Sequence, residues 1–186
     1  DVQSGHIAAV GFDLYCEMVT EAIDDLNGVE KEIPKEVTID IPGDALIPTS
    51  YVEAQDQRFD LYRRLSVAKT EAEVEEISNE MKDRFGVMPE VCSDLIEITK
   101  LRVLCQSVAI TAVLRSREFY RFVGAELTDS QEIRLKRLFS GAIYKEAHVL
   151  GQSEIVIDIK RISSTLKTEN KDIPCLLKGF VSTMYE

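Results

Sequence analysis

Positive charge is scarce in this chain. Against 33 aspartates and glutamates it carries 22 lysines and arginines, a formal net charge of -11. A surface of that sign repels a phosphate backbone unless its bases are segregated, which disfavours nucleic-acid binding by the whole domain and favours partners with basic faces. Histidine is nearly absent. His6 and His148 have no partners at ligand spacing, so no metal site is written here. The nine glycines never fall into the GxxxxGK[ST] or GxGxxG spacing that cradles phosphates. No apolar run approaches the ~20 residues of a membrane span, and no signal peptide is expected before the domain. The four cysteines, Cys16, Cys92, Cys105 and Cys175, include no CxxC pair. Cys92 and Cys105 fall on one predicted helix, roughly 20 Å apart at about 1.5 Å per residue, beyond disulfide reach. Reduced, mostly buried thiols in a cytoplasmic protein are expected, with no cofactor and no catalytic signature around any of them.

What is present is ordinary globular material, 45% hydrophobic and 30% charged over 186 residues. That length suits one domain, or one domain with an appended segment, and buries roughly 70% of the unfolded surface without a staple. In "GFDLYCEMVTEAIDDLNG", Tyr15, Met18, Ala22 and Leu26 recur at helical spacing, and Asn27-Gly28 ends the run. A polar stretch follows, which places a boundary near Glu32 and divides the chain into 1–31 and 32–186. Val37, Ile39 and Ile41 alternate as in a strand, after which Pro42-Gly43 and Pro48 impose an irregular strap to about Val52.

Three helices are predicted next. The first sends Phe59, Tyr62, Leu65 and, at its end, Val67 inward. The second opens at Thr70 with a capping box, in which the Thr70 hydroxyl accepts from the Glu73 amide and the Glu73 carboxylate reaches back to Thr70. Its seam is Val74, Ile77, Met81 and Phe85, and Gly86 closes it. Pro89 suits the first turn of the third, with Val91, Leu95, Ile98, Leu101 or Leu104, and Cys105 inward. Beyond Val108, "AITAVL", "EFYRFVG", "AIYKEAHVL" and "EIVIDIK" read as strands. A short helix is capped at Thr128 or Asp129, and "DIPCLLKGFVSTMY" reads as a last helix. The expectation is an α+β fold in which antiparallel helices pack with a small sheet, after a long N-terminal helix.

Two stretches carry candidate binding chemistry. Glu73, Glu76, Glu80 and Asp83 share one helix face, about 100° from the buried seam. Two readings fit that stripe: a solvated face, or a docking strip for arginines, which bind carboxylates bidentately. The acids crowd beside the apolar seam, where the polar rim of an interface would lie. "REFYRF", Arg117–Phe122, interleaves arginines with aromatics and offers, with Lys136-Arg137, an alternative nucleic-acid surface. The plainer account is a strand with Phe119 on one face and Tyr120 and Phe122 on the other.

From Gln3 to about Gln106 the chain resembles the C-terminal region, the TRCF regulatory domain, of the bacterial transcription-repair coupling factors (Mfd). The resemblance is carried by "QSGHIAAVGFDLYCEMVTEAI", "VTIDIPGDALIPTSYV", "RFDLYRRLSVAKTEAEVEEISNEMKDRFGVMPE" and "LIEITKLRVL", in that order. It implies that Gln3 is a remnant of the translocation motif of an ATP-dependent DNA translocase that works in nucleotide excision repair, and that residues 1–31 end that motif and leave the motor as a helix. It further implies that 32–186 is a non-catalytic module. In the family this module packs on the UvrB-like N-terminal module, hides the surface that recruits UvrA, and restrains the motor until RNA polymerase is engaged on DNA. Family acids in an "EELIDRFG"-like helix face arginines there. Glu80 and Asp83 occupy the matching positions, Glu76 lies one turn before them, and Lys82 stands where the family often has an aliphatic residue.

Overall fold

The structure, a computed structural model, describes residues 36–147, 151–168 and 172–186. Gln3, His6, Cys16, His148, the expected N-terminal helix and the boundary near Glu32 lie outside these residues. The described residues divide into two compact units: Pro42–Thr99, and residues 36–41 with Lys100–Glu186.

In the first unit the proline-interrupted strap is held by its aromatic neighbours. The Ile47 amide donates to the Tyr62 hydroxyl at 2.7 Å, and the Tyr51 hydroxyl lies 3.0 and 3.1 Å from the Met81 and Gly86 carbonyl oxygens. Helix α1, Gln55–Val67, buries Leu61 and Leu65. Phe59 and Val67, both expected inward, are 40% and 62% exposed. The two leucines, at i and i+4, define the buried stripe, and Phe59 falls off it.

Helix α2, Glu71–Phe85, buries Val74, Ile77, Ser78 and Met81. Thr70 accepts from the Glu73 amide at 3.2 Å as its hydroxyl position requires, but the Glu73 carboxylate accepts from the Lys69 amide, one residue before Thr70, at 2.7 Å. Gly86 stops the helix at φ +84°, and Phe85 meets Tyr51 edge-on with centroids 5.8 Å apart. Helix α3, Glu90–Ser107, begins after Pro89, and its Cys92 thiol donates to the Leu46 carbonyl. Its buried apolar positions in this unit are Cys92, Leu95 and Ile96, and from Lys100 the helix belongs to the second unit, where Leu101, Val103 and Cys105 are buried; Val91, Ile98 and Leu104 are only partly buried.

The second unit is built on a five-stranded mixed sheet of order β1-β2-β3-β5-β4. Strand β1, Thr38–Ile39, runs parallel to β2, Ala112–Ser116; β3, Phe119–Val123, closes a hairpin with β2; and β5, Glu154–Asp158, pairs antiparallel with both β3 and β4, Ile143–Lys145. Alternation sends Val113, Tyr120, Phe122, Ile155 and Ile157 to one face. There they join Leu135 of α4, Asp129–Leu138, Ile162 of α5, Ile159–Leu166, and Leu177 and Phe180 of α6, Ile173–Tyr185. Phe180 is the hub: the rings of Phe122 and Phe139 lie 4.8 and 4.9 Å from it. Six helices and five strands among the described residues make the fold α+β, with a small mixed sheet.

The sequence reading missed α5. "EIVIDIK" continues as strand only to Asp158, whose carboxylate accepts from the Lys160 amide at 2.8 Å and starts a helix. An N-cap overrides the strand propensity of Ile159, and Ile159, Ile162 and Leu166 then recur at helical spacing. By contrast α4 begins as expected, with a full capping box between Thr128 and Gln131.

Gly124 follows β3 at φ +84°, and a Cβ there would lie 2.9 Å from the Ala109 carbonyl oxygen. Gly124→Ala is therefore expected to destabilise the sheet unit by about 2 kcal/mol or more, combining left-handed strain with a backbone clash. Urea unfolding followed by circular dichroism measures it; an unchanged midpoint would contradict the packing described.

Candidate docking face on the second helix

Because Val74, Ile77 and Met81 commit one side of α2 to the core, its carboxylates are left on the other sides, and the structure separates them into three kinds. Glu73 is exposed, but its carboxylate caps the helix start at Lys69. Glu80 is held by the domain itself. Its Oε2 accepts from Arg64 Nη2 at 2.5 Å and its Oε1 from Arg84 Nη1 at 2.7 Å. Glu76 and Asp83 are exposed and make no hydrogen bond or ion pair with any described residue.

The hold on Glu80 has two sources. Arg84 follows it at i+4 on the same helix, while Arg64 comes across from α1, sixteen residues earlier. Arg64 also lies 3.8 Å from Asp60, which pairs with Arg63 at 2.7 Å. Arg84 is fixed a second time, its guanidinium 4.9 Å above the Phe85 ring. The hydrogen bond from Arg64, then that from Arg84, pull the Glu80 carboxyl down to about 2. Glu80, expected to be available to a partner, is thus already engaged. Between α1 and α2 a shallow groove of about 240 Å³ is lined by Arg64, Val67, Ala68, Glu73, Glu76 and Ile77. Val67, 62% exposed, gives this acidic rim an apolar floor.

The "REFYRF" alternative loses most of its chemistry on the sheet. Tyr120 and Phe122 are core residues, and Phe119 alone among its aromatics is exposed. Arg121 is neutralised by the nearly buried Glu154, with Nη2 to Oε2 at 2.6 Å, and Lys145 Nζ reaches the other oxygen at 3.0 Å. Those bonds, Lys145's first, hold the Glu154 carboxyl below its ordinary range. Lys136 pairs with Glu132 at 3.5 Å. Arg121 and Lys136 are thus countered, which leaves Arg117 and Arg137 as the exposed bases of this stretch without an ion pair among the described residues.

Burial raises the thiols of Cys92 and Cys105 to about 11 and about 12, which leaves them protonated at neutral pH. Among the described residues no group of histidine, cysteine and carboxylate side chains could hold a metal ion, and no helix is long and apolar enough to cross a membrane.

Fold and surface together define an α+β module whose distinguishing chemistry is an acidic helix face. Comparison with known proteins identifies its family. The TRCF domain profile matches residues 41–135, more than half of the sequence, and the chain belongs to that family. It is 38% identical over 155 residues to the transcription-repair-coupling factor of Mycobacterium bovis, covering 77% of this chain and 13% of that protein. It is 33% identical over 138 residues to that of Bacillus subtilis, covering 74% of this chain and 12% of that protein. The chain therefore spans about an eighth of the length of the curated relatives it matches. A crystal structure of the C-terminal domain of a transcription-repair coupling factor superposes with a TM-score of 0.57 at 21% identity, over 81% of this chain and 93% of that one, and so shares its fold.

Since the folded Glu80 carboxyl lies near 2, below its ordinary 4.5, its pairs stabilise the folded state above pH 4.5, and that contribution is lost as pH falls from 4.5 towards 2. At pH 7 Glu80→Gln is expected to lower stability by about 1 kcal/mol, modest because the pair is partly solvated. The difference from the parent should close across that acid window. Urea unfolding at stepped pH checks it, and a difference independent of pH would exclude the ion pairs as its source.

Proposed function

We propose that this domain is a non-catalytic regulatory module of a transcription-repair coupling factor, a cytoplasmic ATP-dependent DNA translocase of nucleotide excision repair. It acts by docking the α2 face on an arginine-bearing surface of the same parent chain. The resemblance assigns that surface to the UvrB-like N-terminal module and assigns to the contact the covering of the UvrA-recruiting surface. It also places RNA polymerase and DNA among the parent's partners. The observation that carries the reading is the pair of free, exposed carboxylates at Glu76 and Asp83, two turns apart on one helix face, beside an apolar floor at Val67.

The energies asked of such a contact are small. Holding a closed assembly a hundredfold over an open one takes about 2.7 kcal/mol. Two modules of one chain meet at an effective concentration on the order of millimolar, so a few charge-assisted bonds suffice and remain releasable. Phosphate-binding chemistry does not fit an acidic face, whereas guanidinium groups do.

The test is a titration of this chain with the isolated N-terminal module of a coupling factor. Glu76→Arg with Asp83→Arg is expected to weaken binding at least tenfold at low salt and to reduce its salt dependence. Binding unchanged by the double substitution would remove this face from the contact.

A further inference from the structure

Resting on the reading of α2 as a docking face, we propose that Arg64 and Arg84 are internal competitors for Glu80, occupying the carboxylate that a partner's guanidinium would take and so setting how tightly the face can dock. Strong arginine–carboxylate recognition uses both oxygens of one carboxylate for the two parallel N–H groups of one guanidinium. At Glu80 the two oxygens are divided between two arginines, Arg64 on Oε2 and Arg84 on Oε1, so the fork of a third cannot seat in that manner. The local charge works in the same direction. Around Glu80 stand the cations of Arg64 and Arg84 against the anions of Asp60 and Glu80, so the negative charge at the centre of the acidic face is offset.

An incoming arginine therefore gains little at Glu80 and is attracted to Glu76 on one side and Asp83 on the other. The clasp divides one long acidic strip into two separate contacts. Arg84 is the stronger control, being anchored over the Phe85 ring as well as on the carboxylate, with Phe85 itself set against Tyr51 of the strap. Releasing Arg84 opens Oε1 and makes the face more acidic, so docking tightens. The opposite physical role is pre-organisation, in which the two arginines hold Glu80 in the geometry the partner needs; removing them would then loosen docking. The sign of one substitution separates the two.

The chain is titrated with the isolated N-terminal UvrB-like module of a coupling factor at low salt, with circular dichroism confirming that each variant is folded. Arg84→Gln is expected to bind about tenfold more tightly, and Arg64→Gln also more tightly. Arg63→Gln removes the same charge without touching Glu80 and should stay within about twofold of the parent. Replacing Glu80 by Gln in the Arg84→Gln background should cancel most of the gain. Unchanged or weaker binding by Arg84→Gln and Arg64→Gln, while Glu76→Arg with Asp83→Arg still weakens it, overturns the competition and leaves the docking face standing. An Arg63→Gln gain equal to that of Arg84→Gln also overturns it, by reducing the effect to net charge. Indifference to every substitution overturns both the competition and the docking reading.

Discussion

Arg64 reaching from α1 to Glu80 of α2 is the contact on which the character of this domain's surface depends. Beneath it the helices are joined by buried aliphatics, Leu61 and Leu65 on one and Val74, Ile77 and Met81 on the other, and that packing supplies the stability. The ion pair adds little energy, since its partners remain about one-third exposed. What it adds is discrimination. By consuming one carboxylate of a row, it leaves Glu76 and Asp83 as the unpaired members of that face, and it offsets the charge at the centre.

The two units place their charges differently. In the sheet unit several charges are used locally: Glu154 lies between Arg121 and Lys145 across three strands, and Glu118 pairs with Lys160 of α5. In the helical unit Glu76 and Asp83 stay unpaired on one face of α2, and Glu76 lines a partly apolar groove. A protein with a net charge of -11 has acids to spare, and Asp44, Asp56 and Glu90 are also exposed without an ion pair; what sets Glu76 and Asp83 apart is that they share one face of one helix, two turns apart. A releasable contact within a longer chain needs that combination: weak single bonds, high effective concentration, and a geometry that favours guanidinium groups.

Much of this was legible in the sequence because it is local. The Thr70 cap, the Val74-Ile77-Met81 seam, the Gly86 stop and the Thr128 capping box are written within a few residues of where they act, and the structure has them. The first strand and the irregular strap followed from alternation and proline. What failed was settled by competition or by distance. Leu61 displaced Phe59 because the stripe, not the largest ring, determines the inward side. Asp158 ended β5 two residues early because one side-chain cap outweighs a run of β-branched residues. The Arg84 partner of Glu80 stood at helical spacing and could have been read; Arg64 could not, because only the packing of α1 against α2 brings it there. The separation of one acidic row into a cap, a clasp and two free carboxylates is a tertiary property.

The central claim concerns which oxygens are free, and it can be read chemically. Carbodiimide labelling with a nucleophilic amine, quantified by mass spectrometry for each carboxylate, compares this chain alone with the complete coupling factor. Glu76 and Asp83 should label rapidly in the chain alone and Glu80 slowly, and the first two should become protected in the complete protein. Rapid labelling of Glu76 and Asp83 in both would contradict the account.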